Sequence, residues 1–182
     1  MAERICKMKI KLDNSLEGRI LDVGGGGEGV IGRIYRQQVT AIDNCREELD
    51  EAPDVCDKVL MDATSLCFEA CEFDHVTAFY SLMYMRKEEQ RKAIQEIHRV
   101  LKSGGLLHIW DAVITSAYPA PFTVSLDIDA NGTMIRTAYG IVKADAQDVE
   151  LFVDMCREAG MTLVRKTMEN NQFYLQFSKD VS

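Results

Sequence analysis

The chain has 182 residues, of which 47% are apolar and 27% charged, an ordinary balance for a globular protein and enough length for one domain with a full core but not for two. No stretch approaches the roughly 18 uncharged apolar residues of a membrane-crossing helix. The opening MAERICKMKIKL is charged throughout and lacks the apolar core of a secretion signal, so the expectation is a cytoplasmic protein with no membrane association. A net charge of −8 without a long basic run argues against nucleic acid as a partner. The six cysteines lack paired C-x-x-C spacing and read as free thiols. Cys67 and Cys71 could share one helical face, but no second pair completes a site, and no metal is expected.

In chain order, residues 5–12 alternate strictly, with Cys6, Met8, Ile10 and Leu12 apolar against Lys7, Lys9 and Lys11. That pattern predicts a half-buried strand with a cationic outer face. After turn residues at 13–18, the stretch 19–32, RILDVGGGGEGVIG, runs from a short apolar strand into four glycines, then into helical spacing at Val30, Ile31, Ile34 and Tyr35. The turn reads Asp22-x-Gly24-x-Gly26-x-x-Gly29, which lets a ligand approach bare backbone and lie against free N–H groups at a helix start. A second strand, 39–43, closes on Asp43 about twenty residues further on, where a carboxylate can grip both hydroxyls of a ribose. Together these features describe a nucleotide-binding turn.

Residues 46–52 predict a brief helix ended by Pro53, and 58–62 a third strand finishing in Asp62 beside Ala63. Ligands collect at the carboxyl ends of parallel strands, so Asp22, Asp43 and Asp62 are expected at one edge of the sheet. With Thr64 and Ser65 beside it, Asp62 also reads as a turn cap. Residues 73–80 form a fourth strand carrying Phe79 and Tyr80, and 81–85 the loop leaving it. Residues 87–102 predict a helix with Ala93, Ile94, Ile97, Val100 and Leu101 on one face, stopped at Ser103-Gly104-Gly105. A fifth strand, 106–114, carries Trp110 and Asp111. His75, His98 and His108 read as packing or surface residues. Strand and helix thus alternate through residue 114, the pattern of an open, mainly parallel sheet covered on both faces.

The rhythm then changes. Residues 122–129 alternate, Asn131-Gly132 follows, and 134–142 is strand-like, a hairpin signal outside the parallel core. Residues 148–159 predict a last helix closed by Gly160, and strands 162–168 and 172–177 meet at Glu169-Asn170-Asn171.

With these motifs placed, the chain resembles the class I S-adenosylmethionine-dependent methyltransferases, the small single-domain members of type 11/25, over residues 19–178. ILDVGGGGEG (20–29) is similar to that family's first motif, TAIDN (40–44) to its ribose-binding strand end, and MDATSL (61–66) to its adenine-edge loop. FDHVTAFYSLMYM (73–85) is similar to its fourth strand, and EIHRVLKSGGLLHI (96–109) to the helix and strand that follow. The resemblance implies an α/β fold with an open, doubly wound, Rossmann-like, mainly parallel seven-stranded sheet and an antiparallel C-terminal strand. A small antiparallel β arm is added here, within one domain over 1–182 (strand arm 1–18, inserted hairpin arm 115–145). It implies S-adenosyl-L-methionine as cofactor and S-adenosyl-L-homocysteine as product. By the resemblance Gly24 and Gly26 pass the methionine part, Asp22 supports the turn and the amino group, and Asp43 accepts the ribose hydroxyls. Asn44 lies beside the adenosine, Asp62 and the Ala63 backbone read the adenine edge, and Phe79 and Tyr80 meet the cofactor from the fourth strand. The chain departs from the family at Gly27-Glu28, where Thr-Gly is frequent, and at Met83, where many small-molecule members carry His.

Methyl transfer from a sulfonium is an in-line displacement that mainly requires alignment of the acceptor. Tyr80, Tyr84, Trp110 and Tyr118 are expected to form an aromatic wall near the cation. Asp111 and Tyr80 are the candidate catalytic residues, Asp111 to orient or deprotonate an acceptor, with a structural cap as its other reading. The expected function is methyl transfer to a small-molecule acceptor. The rivals are an NAD-dependent oxidoreductase, since the glycine turn and Asp43 serve both cofactors, and a non-catalytic cofactor-binding subunit. Finally, Lys7, Lys9 and Lys11 face Asp127 and Asp129 in charge, which predicts an antiparallel sheet of 5–12 with the hairpin. Its apolar row (Met8, Ile10, Val124, Leu126) needs cover, from the domain as a lid over the substrate or from a second copy as a homodimer interface.

Overall fold

The computed structural model describes residues 5–115, 119–143 and 145–181, and for residues 5–8 the backbone alone, so the side chains of Cys6, Lys7 and Met8 lie outside the described ones. The centre of the fold is β2 (Ile20–Val23), whose four residues are all buried because the strand is covered on both faces. On one side of it lie β3 (Val39–Asp43) and β4 (Asp57–Leu60), and on the other β5 (Phe73–Phe79) and β6 (Leu101–Ala112), all running parallel. Two further strands, β9 (Met161–Glu169) and β10 (Gln172–Lys179), complete the order β4-β3-β2-β5-β6-β10-β9. β10 is antiparallel to both of its neighbours, the reversed C-terminal strand expected from the sequence.

The helices are α1 (Val30–Tyr35), α2 (Arg46–Glu51), α3 (Lys87–Val100) and α4 (Val149–Glu158). α3 and α4 bury their apolar stripes, including Ile94, Ile97, Phe152 and Cys156, against one face of the sheet. Asp148 starts α4 by accepting the Leu151 N–H at 2.9 Å, a side-chain cap that satisfies one orphan amide of the first turn. α3 stops at Val100, two residues before the expected end. Leu101 is already extended and fully buried opposite Phe73, so sheet pairing overrides the helical spacing there.

The other face is covered by α1 and a second sheet of three strands, β1 (Ile5–Leu12), β7 (Phe122–Ala130) and β8 (Thr133–Ile141), in the order β1-β7-β8. β7 and β8 form the predicted hairpin, with Asn131 (φ 50°) and Gly132 (φ 88°) at its tip, the left-handed pair that a two-residue turn between twisted strands requires. β1 pairs with β7 in parallel, which corrects the antiparallel arm inferred from charge. Lys9 sits opposite Asp127 and Lys11 opposite Asp129, yet alternating charges can be matched in either direction. The chain path decides: Leu12 O accepts the Asn131 N–H at 2.9 Å at the hairpin tip, and residues 13–19 then lead directly into β2.

The apolar row of the arm finds its cover within the chain. Val124, Leu126 and Ile128 are at most 1% exposed and pack with Ile20, Val30, Ile31, Val39, Phe79 and Tyr80 of the main sheet and α1. Burial of that row therefore does not call for a second copy. Leu126→Ala is expected to cost about 2–5 kcal/mol in urea unfolding, the range for a buried leucine. Because the arm shares a core with the main sheet, a single transition is expected; an earlier, separate transition would show that the arm folds independently.

Candidate functional site

β2 through β5 end side by side, and their carboxyl ends border a cavity of about 540 Å³. The strand order reverses direction at β2 and β5, and open α/β sheets bind ligands in the crevice at such a point. Gly24, Gly26, Asp43, Asn44, Asp62, Ala63, Phe79 and Tyr80 all line it, so these dispersed sequence candidates come together. Asp22 lies just beneath, beside a narrow recess under Gly24 and Gly26.

The glycines are required by crowding. A Cβ on Gly24 (φ +73°) would lie 2.3 Å from Ser81 Cβ, and one on Gly26 would lie 2.6 Å from Glu48 Cβ and 2.9 Å from Asp43 Oδ2. The turn's amides, expected to be free for a ligand, are largely engaged. Gly24 and Gly25 N–H donate to Ile42 O at 2.8 and 3.0 Å, Gly27 N–H to Glu48 O at 2.8 Å, and Gly29 N–H to Gly26 O at 3.1 Å. Backbone pairing thus ties the turn to β3 and α2 and leaves less of it as an anion cradle.

Sheet register sets Asp22 opposite Thr77, whose hydroxyl donates to Asp22 Oδ1 at 2.7 Å. Burial pushes the Asp22 carboxyl up to about 7, partly offset by that hydrogen bond, with the charge of Asp43 adding to the rise. Asp43 Oδ1 accepts the Cys45 N–H at 2.9 Å. Asp62 Oδ1 accepts both the N–H and the hydroxyl of Thr64 at 2.8 Å, so Asp62 caps a turn and lines the cavity at once. The charged side chains around the cavity are Glu28, Asp43, Glu48, Asp62 and Glu89, with no Lys, Arg or His among the described lining residues. Glu48 is pushed above the usual carboxylate range by partial burial and then by the charges of Asp43, Glu51 and Glu28.

Tyr80 has φ 50°, a left-handed conformation that is strained for a bulky side chain. It is held there by its N–H to Trp110 O at 2.8 Å, by its hydroxyl to Gln172 Oε1 at 3.1 Å, and by stacking on Tyr139 at 6.0 Å between centroids. The aromatic wall consists of Phe79, Tyr80, Tyr84 and Tyr139. Trp110, expected in it, borders a different cleft on the same sheet, and Tyr118 lies outside the described residues.

Asp111 does not line the cavity, which corrects its placement as an acceptor-facing acid or base. It is 0% exposed and accepts N–H bonds from Met83 (3.1 Å), Ala112 (2.7 Å) and Gln147 Nε2 (2.8 Å). Burial pushes its carboxyl up to about 7 against those donors and nearby Lys143. Lys143 Nζ donates to Met83 O and Met85 O at 3.0 and 2.6 Å, so Asp111 and Lys143 together clamp the segment 81–85 that borders the cavity. Met83, a departure from the family pattern, is fully buried and does not line the cavity.

Glu28, Glu48, Ser81 and Tyr139 line the site and were not among the sequence candidates for it, Glu28 having stood out only as a departure from the family pattern. Glu28 accepts the Tyr139 hydroxyl at 3.0 Å and is also hydrogen-bonded by the Thr137 hydroxyl, tying the glycine turn to β8. Thr137 and Tyr139 share one face of an alternating strand, but no local pattern links them to residue 28. His98 stands outside the cavity, and no metal-holding group of three or more His, Cys, Asp or Glu occurs among the described residues. Cys67 and Cys71 do not share a helical face, because the segment between β4 and β5 is not helical and Cys71 has φ 57°.

Residues 21–109 match the family model described as a methyltransferase domain, which spans the glycine turn, Asp43, Asp62 and β5. Over that segment, just under half of its length, the chain carries a methyltransferase domain. It is 31% identical over 124 residues to a sterol 4-C-methyltransferase of Caenorhabditis elegans, covering 62% of this chain and 36% of that protein. It is 30% identical over 123 residues to an O-methyltransferase of Aspergillus sclerotiorum, covering 61% and 46%. The chain therefore spans less than half the length of these curated relatives. A crystal structure of a methyltransferase-family protein from Methanosarcina mazei superposes with a TM-score of 0.66 at 17% identity, covering 94% of this chain and 100% of that one, which shows the shared fold. No helix among the described residues is long and apolar enough to cross a membrane.

The raised Asp22 pKa predicts a pH effect of defined sign. Between the ordinary carboxylate value near 4 and about 7, the folded chain holds a proton on Asp22 that the unfolded chain has lost, so the stability from this group falls as pH rises through that window. Asp22→Asn keeps an acceptor for Thr77 and removes the titration. Its melting temperature relative to the wild type is expected to climb from pH 4 to pH 7; a pH-independent difference would contradict the assignment.

Proposed function

We propose that this chain transfers the methyl group of S-adenosylmethionine to a small-molecule acceptor, with the cavity at the ends of β2–β5 as the cofactor site. One observation carries the reading: every charged side chain among the described residues lining the cavity is a carboxylate, while four of the turn's amides are spent on Ile42, Glu48 and Gly26 carbonyls. A dinucleotide would bring an anionic pyrophosphate to this wall, where like charge is unfavourable. A sulfonium and an ammonium group meet complementary charge there instead. This favours the methyl-transfer reading over the nicotinamide one.

In this reading Asp43 takes the ribose hydroxyls, Asn44 lies beside the adenosine, and Asp62 with the Ala63 backbone takes the adenine edge. Gly24 and Gly26 leave room for the methionine end, whose ammonium group lies toward Asp22. When bound, the cofactor supplies an electrophilic methyl on a sulfonium. The chain's own contribution is alignment and electrostatics: the Phe79, Tyr80, Tyr84 and Tyr139 rings attract a cation and exclude water from one side. Asp111 acts as a positioning residue through Met83, and Tyr80 remains the candidate nearest the reacting atoms. Relatives named for sterol 4-C-methylation and for O-methylation support a small-molecule acceptor at carbon or oxygen.

Calorimetry with the purified chain tests this. S-adenosylhomocysteine is expected to bind and NAD not to, and Asp43→Ala is expected to weaken binding by about 1.5–3 kcal/mol, the worth of hydrogen bonds to a charged group. Binding of NAD with no affinity for either sulfur cofactor would overturn the reading. Product formation from a panel of sterols and phenols separates an enzyme from a cofactor-binding subunit.

A further inference from the structure

Beyond α1 and the arm, β6, β10 and β9 leave part of the main sheet open, and β1 faces it across a cleft of about 560 Å³. That volume is in the range of small-ligand sites. The floor is aromatic. His108, Trp110 and Tyr174 lie side by side, with Trp110 and Tyr174 centroids 4.8 Å apart and His108 stacked near-parallel to Trp110 at 5.9 Å. Both imidazole nitrogens of His108 are engaged, by His75 Nδ1 at 3.2 Å and the Tyr174 hydroxyl at 2.9 Å. Burial and the neighbouring His75 hold its pKa down at about 3, so at neutral pH it serves as an uncharged, flat surface.

The rim is cationic. Lys9 and Lys11 come from β1 and Arg165 from β9, its guanidinium 5.9 Å from the Tyr174 ring centroid. None of the three has a carboxylate within 4.0 Å among the described residues. Asp13 and Glu169 also border the cleft, leaving three cations against two carboxylates. The cofactor cavity has the opposite character, with five carboxylates and no cation among its described lining residues. A wall divides the two: Phe79 and Tyr80 border the cofactor cavity, Trp110 and Gln172 border the cleft, and they meet at 5.8 Å (Phe79–Trp110 centroids) and 3.1 Å (Tyr80–Gln172).

We propose that this cleft is a second ligand site, for a planar aromatic molecule bearing a carboxylate, with its ring against Trp110 and Tyr174 and its anionic group among Lys9, Lys11 and Arg165. The site stands independently of the methyl-transfer reading. Flat rings on the floor favour stacking, and cations with no described carboxylate within 4.0 Å favour a charge that the rest of this acidic chain repels.

Trp110 is the single tryptophan of the chain, so its indole N–H gives one NMR resonance from the floor of this cleft. The probe is 2-naphthoate, with 2-naphthamide as its uncharged match, each titrated into the full chain by NMR and calorimetry. A saturable shift of the indole resonance is expected, with naphthoate binding tighter than the amide by about fivefold or more. The combined Lys9→Gln, Lys11→Gln and Arg165→Gln variant is expected to bring naphthoate to the affinity of the amide and leave the amide unchanged. Asp43→Ala, in the other cavity, is expected to alter neither. Equal affinities for acid and amide, binding without an indole shift, no binding at millimolar probe, or loss of binding in Asp43→Ala would each overturn the proposal.

Discussion

The site depends on how closely the glycine turn approaches its neighbours. Ile42 O takes two amides from the turn, the Ser81 hydroxyl donates to Val23 O at 2.6 Å, and Gly24 sits where a single Cβ would collide with Ser81. Three strand ends are thereby drawn to within hydrogen-bonding distance of one another. Most of what lines the cavity is carried on those ends or on the segments leaving them, with Asp62 and Ala63 added after β4, Glu89 from α3 and Tyr139 from β8, so the approach sets the cavity's depth and position. Side chains at these positions would be incompatible with that contact, whatever their chemistry.

Around this scaffold the charges are arranged against their own interest. Glu48 is destabilised by its partial burial and by Asp43, Glu51 and Glu28, and Asp22 is buried with the Thr77 hydroxyl as its side-chain hydrogen-bond partner among the described residues. Such an arrangement raises the energy of the empty cavity and lowers it when a cation arrives, so stability at the site is conceded for binding. Tyr80 adds a backbone conformation of the same kind. By contrast, Asp111 is surrounded by donors and Lys143, a network that holds a segment in place.

Much of the main sheet was legible because local signals agree: β2, the four glycines and the start of α1 follow one another within fourteen residues, and β2, β3 and the segment leaving β4 each carry an aspartate. Asp43, Asn44, Asp62 and Tyr80 could be placed for that reason. What escaped depends on contacts between distant segments. Glu28 reads as a departure from a motif until Thr137 and Tyr139 are seen to bond it, and Asp111 looked available at a strand end until Gln147 and Met83 closed over it. The direction of β1 was missed because charge alternation constrains which faces meet and is silent on strand polarity. The α3 boundary moved for a similar reason, since the pairing of Leu101 with Phe73 outweighs a helical stripe.

The parallel pairing of β1 with β7 also bears on the order in which the fold can assemble. Ile5 stands opposite Thr123, so the two strands meet only after more than a hundred intervening residues have been made, and those residues include the whole parallel half of the main sheet. Closing so long a loop carries an entropic cost that is recovered only when the core beneath the arm already exists. β1, which precedes every strand of the main sheet in the chain, is thus among the last to find its partner. Until β7 arrives, Ile10 and Leu12 lack its part of their native surroundings, and the lysines that alternate with them keep that waiting strand soluble.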